Sequence, residues 1–229
     1  MEQIRNIIYY HIAKGNNLYS HLWRVGNELE FSPGTTNYYY KSLIDCLNGL
    51  QKDCNEKLAI LKALSDDEKL ERNFSRDLAP INIEDHYLFS NISDCLLSVS
   101  KKAIFFNDKY TQVLKETILE KERITNYPLY PSRKSALWVC AKDDLAEWDE
   151  SFCGSARDVY KVELTGTIFH TDGGLIDSVN FIAPMTFDNL AQKYWAATEN
   201  FQREECLFEG KVKILAKYES VNELLNSDK

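Results

Sequence analysis

The six cysteines, at positions 46, 54, 95, 140, 153 and 206, form no CxxC pair, and the chain has only four histidines. That scarcity argues against a zinc module, and no metal is expected. Scattered single thiols fit a reducing cytosol and small buried apolar side chains. No apolar run approaches the ~18 residues that a membrane span needs. The opening segment MEQIRNIIYYHIAKG lacks the shape of a signal peptide. A cytoplasmic protein with no membrane partner is the expectation. Basic charge is also short: the formal net charge is −8. Sequence-blind adhesion to nucleic acid needs a basic surface, so only a local basic groove stays open. Neither an internal repeat nor a low-complexity tract is present.

What is there suffices for a real core. Hydrophobic residues make up 44% of the 229, and thirteen Tyr and four Trp add bulk. Segment 4–13, IRNIIYYHIA, is β-branched and aromatic and predicts a strand. Gly15, Asn16 and Asn17 predict a turn, followed by a short turn or helix up to Gly26, and 32–37 is loop. From Tyr38 the leucines at 43, 47, 50, 58, 61 and 64 fall near helical spacing. A charged break, SDDEKLERNF, follows. IEDHY through ITN then predicts two more helices, so a helical block spans about 38–125.

Two prolines in YPLYPSR force extended backbone. SALWVCA (135–141) predicts a strand. DDLAEWDE predicts a short helix capped by Asp143 or Asp144. DVYKVELTGTIFHTD (158–172) predicts a strand or hairpin, and GGLIDSVNFIAP a loop with a short strand. TFDNLAQKYWAAT predicts a helix capped by Thr186 or Asp188. EECLFEGKVKILAKYES predicts a final strand pair broken at Gly210. Strands at both ends must pair across the helical block. The expected fold is a single α+β domain over 1–229, with 38–125 as a helical insert.

The polar landmarks of the strand-rich part are His11, Arg133, the pair Tyr194–Trp195, and Glu204–Glu205. Each has a plain structural reading: a satisfied strand histidine, a solvated loop arginine, a core aromatic pair, solvent-facing glutamates. Together they supply one polar group per strand-rich segment, which a cleft on a small sheet needs.

These segments also resemble a known family. YYHIAKGNNL with WRVGNELEF is similar to the opening of the ADP-ribosyltransferase superfamily, in its histidine-type branch. VLKETILEKERITNYPLYPSR and LAQKYWAATENFQREECLFEGKVKIL resemble the second and third blocks of a bacterial family associated with that superfamily. The resemblance covers 4–37 and about 113–215.

It implies a small mixed or antiparallel two-sheet core that binds NAD as substrate, breaks its nicotinamide–ribose bond and transfers ADP-ribose to an acceptor. The transition state is oxocarbenium-like and needs a carboxylate near the ribose. The pattern ExLxxG assigns that role to Glu205, with Glu204 the other candidate. Arg203, or Gln202 in the other register, then stands where related enzymes choose the acceptor. His11 is expected to bind the adenosine-side ribose and Arg133 the pyrophosphate, supported by Ser132 and Ser135. SALWV carries no tyrosine, so Tyr130 or Tyr194 is left to stack on nicotinamide.

The resemblance implies a macromolecular acceptor, nucleic acid ahead of protein. Lys101, Lys102, Lys109, Lys115, Lys121 and Arg123 offer a basic helix face for it. It further implies a toxin of a toxin–antitoxin or anti-phage system, restrained by an antitoxin protein. An NAD glycohydrolase and an inactive interaction module on the same fold are the competing readings.

Overall fold

The structure is a computed structural model that describes residues 1–14, 21–65, 83–151, 157–177, 184–197, 201 and 203–227. The fold is mixed α+β, with one antiparallel five-stranded sheet and six helices among the described residues. In chain order the elements are β1 (Glu2–Lys14), β2 (Glu28–Phe31), α1 (Tyr38–Ser65), α2 (Ile83–Asn126), β3 (Leu137–Val139), α3 (Leu145–Ser151), β4 (Arg157–Asp172), α4 (Gly174–Asp177), α5 (Pro184–Ala196), β5 (Glu204–Tyr218) and α6 (Val221–Ser227). The chain divides into two compact units, 1–40 with 115–229, and 41–114. The second lies inside the helical block expected from the sequence.

Two long strands organise the first unit. β4 and β5 pair antiparallel over nearly their full lengths, from Val159 opposite Tyr218 to Asp172 opposite Glu204. β1 pairs with the outer edge of β4, and β2 and β3 both pair with β5. The terminal strands thus do pair across the helical block. Beyond β3, Cys140 and Tyr10 exchange backbone hydrogen bonds of 3.0 and 2.9 Å. That bridge ties β3 back to β1, so β1, β4, β5 and β3 follow one another around a ring. The two small sheets that the resemblance implied are replaced by this single sheet. The reason is that β4 and β5 stay paired through one register shift at Lys161–Val162, and every other strand pairs with one of them.

Glycine explains the continuity. Gly210 was expected to end a strand; instead it lies opposite Gly166 in mid-ladder, at φ values of +141° and +159°. A Cβ on Gly166 would stand 2.2 Å from the Glu209 carbonyl oxygen, and one on Gly210 2.5 Å from that of Thr165. The two backbones approach closely here because neither residue has a side chain.

The strands' alternation sorts side chains onto two faces. Tyr160, Val162, Leu164, Ile168, Cys206, Phe208, Val212 and Ile214 form one cluster, which Ala13, Leu137, Val139 and Trp23 complete. On the other face Phe169, Leu207 and Ala136 pack under Leu119 of α2 and Phe187, Ala191, Tyr194 and Trp195 of α5. A third cluster joins Tyr10, Cys140, Leu145 and Val159 to Val221 and Leu224 of α6.

Several expected boundaries move. The two helices expected after the charged break are one, the 44 residues of α2; the stretch contains neither Pro nor Gly to interrupt it. α5 begins at Pro184, which suits a first helical position. Thr186 and Asp188, the two expected caps, therefore both lie inside the helix. The hairpin alternative for 158–172 is one strand, and 174–177 is a helical turn. The charged break, the turn at Gly15–Asn17 and part of GGLIDSVNFIAP lie outside the described residues. β2 and α6 were not foreseen. ELEF alternates charged and apolar residues, but over only four positions, too short a run to announce a strand, whereas α6 carried a legible signal. Ser220 Oγ accepts from Glu223 N at 3.1 Å, the hydrogen bond of an S-x-x-E cap.

Candidate functional site: a buried arginine between two glutamates

Arg133 sits in the short turn between α2 and β3. The turn is fixed from several sides. Asn37, at the start of α1, donates from Nδ2 to the carbonyls of Arg133 (2.7 Å) and Ala136 (3.0 Å), while its Oδ1 accepts from Tyr40 N. Glu209 Oε1 accepts from Ser135 Oγ at 2.8 Å and from Ser132 N at 3.2 Å. Ser132 Oγ donates to Glu120 Oε2 at 2.8 Å, and Glu120 also pairs with Arg123.

Held this way, the guanidinium points under α5. Its Nε and Nη2 donate to Glu116 at 2.8 and 2.9 Å, a bidentate pair. Its Nη1 donates to Glu205 Oε1 and, at 2.6 Å, to Tyr194 Oη. Tyr194 Oη in turn donates to the same oxygen of Glu205. The ring of Tyr194 lies 5.1 Å and that of Trp138 5.3 Å from the guanidinium carbon. All of Glu116, Arg133 and Glu205 are buried, Glu205 at 6% exposure.

Two carboxylates therefore share one guanidinium, and the cluster carries one formal negative charge in excess. Burial opposes the guanidinium's charge, but Glu116 and Glu205 outweigh it and hold the group well above its ordinary range. Burial also pushes the Tyr194 phenol far up, with Glu205 adding to it, so Tyr194 stays a neutral donor. Glu205 Oε1 takes both donors. Its Oε2 lies against Gly173, where an added Cβ would stand 3.3 Å away. The bare α-carbon of Gly173 keeps that side of the carboxylate uncrowded.

The start of β5 is positioned by neighbouring turns. Asp172 Oδ1 accepts from Gly174 N and Arg203 N, and Gly173 N donates to Arg203 O. The Arg203 guanidinium lies 4.4 Å over the Trp148 ring, and Trp148 Nε1 donates to Glu204 O.

The expected site residues separate into groups. Arg133, Tyr194 and Glu205 meet. Ser132 and Ser135 lie beside them, engaged by Glu120 and Glu209. Tyr130 lines the same face, 4.6 Å from Phe169. Arg133, expected to meet a pyrophosphate, spends its donors on Glu116, Glu205 and Tyr194, so it positions Glu205. His11 is elsewhere. It pairs across the ladder with Tyr160, stacks on Trp23 at 4.5 Å and donates from Nδ1 to Trp138 O at 2.8 Å. Tyr160 and Glu205 belong to opposite faces, so His11 and Glu205 do too.

Glu204 shares the face of His11. There His170 Nδ1, Glu204 Oε1 and Cys206 Sγ gather, with His170 Nδ1 2.8 Å from Glu204 and 3.4 Å from Cys206. Burial raises the Cys206 thiol far above its ordinary range, with Glu204 adding to it. Sequence reasoning missed Glu116, Glu209, Asn37 and His170. Glu116 carried no motif. Glu204-Cys206 was visible as two residues sharing a strand face, but only the β4–β5 register puts His170 opposite Cys206. Of the basic helix series, Lys102 pairs with Asp53, Arg123 with Glu120, and Lys109 with Asp108, which leaves less free positive charge than the sequence suggested. No helix among the described residues is long and apolar enough to cross a membrane.

Comparison with curated proteins finds no match. A family model described as a protein of unknown function, DUF2441, matches residues 9–223, and with all but the two ends of the chain covered, the protein belongs to that family.

Proposed function

We propose that this chain is an NAD-dependent mono-ADP-ribosyltransferase whose catalytic carboxylate is Glu205. The observation that carries the reading is the make-up of the buried cluster, in which two carboxylates bond one guanidinium. Glu205 is held by hydrogen bonds from Arg133 and Tyr194, yet Glu116 already answers the Arg133 charge. A rigid carboxylate with negative charge in excess is suited to meet a developing oxocarbenium ion, since nothing need reorganise as the charge appears. In the reaction the C1′–N bond of nicotinamide ribose breaks, nicotinamide leaves with the bonding pair, and the acceptor nucleophile closes on C1′.

The acceptor in this reading is a macromolecule, nucleic acid ahead of protein, on the resemblance of the first strand segment. The ADP-ribosyltransferase-like core and the cytoplasmic location belong to the same proposal. So does restraint by an antitoxin protein, because such an activity inside its own cell needs control. One observation favours a second reading within it: Glu204 shares the sheet face of His11 and its side chain is 30% exposed, so a ribose held by His11 would meet Glu204 and not Glu205.

The test incubates purified protein with NAD labelled on the adenine-side phosphate and with lysate split into RNA, DNA and protein fractions. Glu205→Gln and Glu204→Gln are run alongside. Label entering one fraction and lost in Glu205→Gln supports the reading and identifies the acceptor class. Loss in Glu204→Gln alone moves the chemistry to the other face. Free ADP-ribose without labelled macromolecule means a glycohydrolase, and intact NAD throughout means a binding module.

A further inference from the structure

Across the ladder from the Arg133 cluster's face, three different donor types converge. Cys206 and His170 occupy directly opposed positions of β5 and β4. Glu204 lies two residues before Cys206 on the same face, diagonal to His170. Opposed and diagonal neighbours on one sheet face are the pairs whose side chains can meet. The three donor atoms, His170 Nδ1, Glu204 Oε1 and Cys206 Sγ, all lie within 4.8 Å of one another.

We infer that His170, Glu204 and Cys206 form a binding site for a divalent zinc-type cation, with a fourth coordination position open to solvent. The donor set selects this class. A thiolate, an imidazole and a carboxylate together suit a borderline-soft ion and disfavour magnesium or calcium, which want oxygen. Tetrahedral zinc with bonds of ~2.0–2.3 Å spaces its ligand atoms about 3.4 Å apart. The separations here, 2.8 Å from His170 to Glu204 and 3.4 Å from His170 to Cys206, need only small side-chain rotations to match.

Two further features fit. Glu2 Oε1 lies 3.7 Å from Nε2 of His170, on the side away from the site. That distance is beyond a hydrogen bond, and a closer approach by this carboxylate would orient a metal-bound imidazole through its second ring nitrogen. His170 and Glu204 are 28% and 30% exposed, while Cys206 is buried beneath them. That order gives an ion an entry path and an inner sulfur anchor. Binding exchanges the thiol proton of Cys206 for the metal bond, and the proton leaves to solvent. The site stands apart from the NAD reading based on Glu205, and it engages the carboxylate on which the second reading depends.

The test uses the full chain after chelator treatment. Cobalt is titrated as a spectroscopic stand-in, then displaced by zinc. The expected result is one ion per chain, with a sulfur-to-cobalt charge-transfer band and the visible bands of a tetrahedral site. His170→Asn and Glu204→Gln, both at partly exposed positions, should weaken binding by at least the ~10–100-fold that loss of an outer-shell partner already costs. Cys206→Ser should abolish the charge-transfer band. Glu2→Gln should cost about 10-fold at unchanged stoichiometry. Absence of the charge-transfer band in the native chain overturns the site. So does unchanged affinity in His170→Asn and Glu204→Gln, which decide the matter even if Cys206→Ser does not fold.

Discussion

Arg133 and Glu205, 72 residues apart in the chain, share a buried ion pair in which Tyr194 bonds both partners. The pair is not balanced, because Glu116 holds the other edge of the same guanidinium. That asymmetry decides how the site responds to substitution.

Glu205→Gln should fold. It removes one of two carboxylates and leaves Arg133 paired with Glu116. The lost charge-assisted hydrogen bonds should lower stability by about 1–3 kcal/mol. If Glu205 meets the oxocarbenium ion, NAD turnover should fall by the ~2–4 kcal/mol typical of losing a preorganised charge-stabilising group. Denaturant midpoints and steady-state NAD consumption on one preparation measure the two effects separately. Unchanged turnover would remove Glu205 from the chemistry.

Arg133→Ala should be far worse for the fold. It strands Glu116 and Glu205 together in a buried space with no cation between them. Breaking a buried pair costs ~3–5 kcal/mol, and two carboxylates are stranded here. Adding Glu116→Gln to Arg133→Ala should restore part of the loss, since one stranded charge then disappears. A double-mutant cycle by chemical denaturation reads that coupling. Additive losses would mean that the three side chains do not form one electrostatic unit.

Gly166→Ala and Gly210→Ala should each destabilise by at least ~2 kcal/mol. Both place a Cβ within 2.2–2.5 Å of a backbone carbonyl oxygen on the facing strand, where the neighbour cannot rotate away. Because the two residues face each other, the double variant should cost less than the summed single losses. Thermal melts of the three variants test this. A near-neutral single substitution would mean that the strands do not approach as described.

His11 predicts an acid limb in stability. Burial lowers its pKa from 6.5 to about 4, and the hydrogen bond to the Trp138 carbonyl only partly offsets this. The unfolded chain therefore takes up a proton near pH 6.5 that the folded chain refuses until about 4. Stability from neutral His11 is full above pH 6.5 and is lost as pH falls through that window. Because His11 is only partly buried, the loss is discounted to about 2 kcal/mol. His11→Gln should flatten this limb in urea titrations between pH 7 and 4. An unchanged slope would mean that other groups supply the acid sensitivity.

Local chemistry was legible wherever the pattern was strong. The β-branched opening, the leucine spacing after Tyr38 and the residues around Trp138 each announced their element. One boundary failed because Gly210 reads as a local break, while its conformation is set by the partner strand; 158–172 stayed open between strand and hairpin, and pairing with β5 decides for the strand. Arg133, Tyr194 and Glu205 could be singled out separately, but not as neighbours.

The amino-acid sequence by itself determined where the main strands and the helical block fall, because side-chain periodicity and the absence of breakers act over a few residues. It determined the supply of acidic groups and the helical block between the terminal strands. Only the tertiary structure decided which carboxylate meets Arg133, that His11 and Glu205 lie on opposite faces, and that His170 stands over Cys206. Those are consequences of strand register. A shift of β5 by one residue against β4 would send Glu204, Glu205 and Cys206 to the other face relative to His170, and that register is settled by packing between segments far apart in the chain.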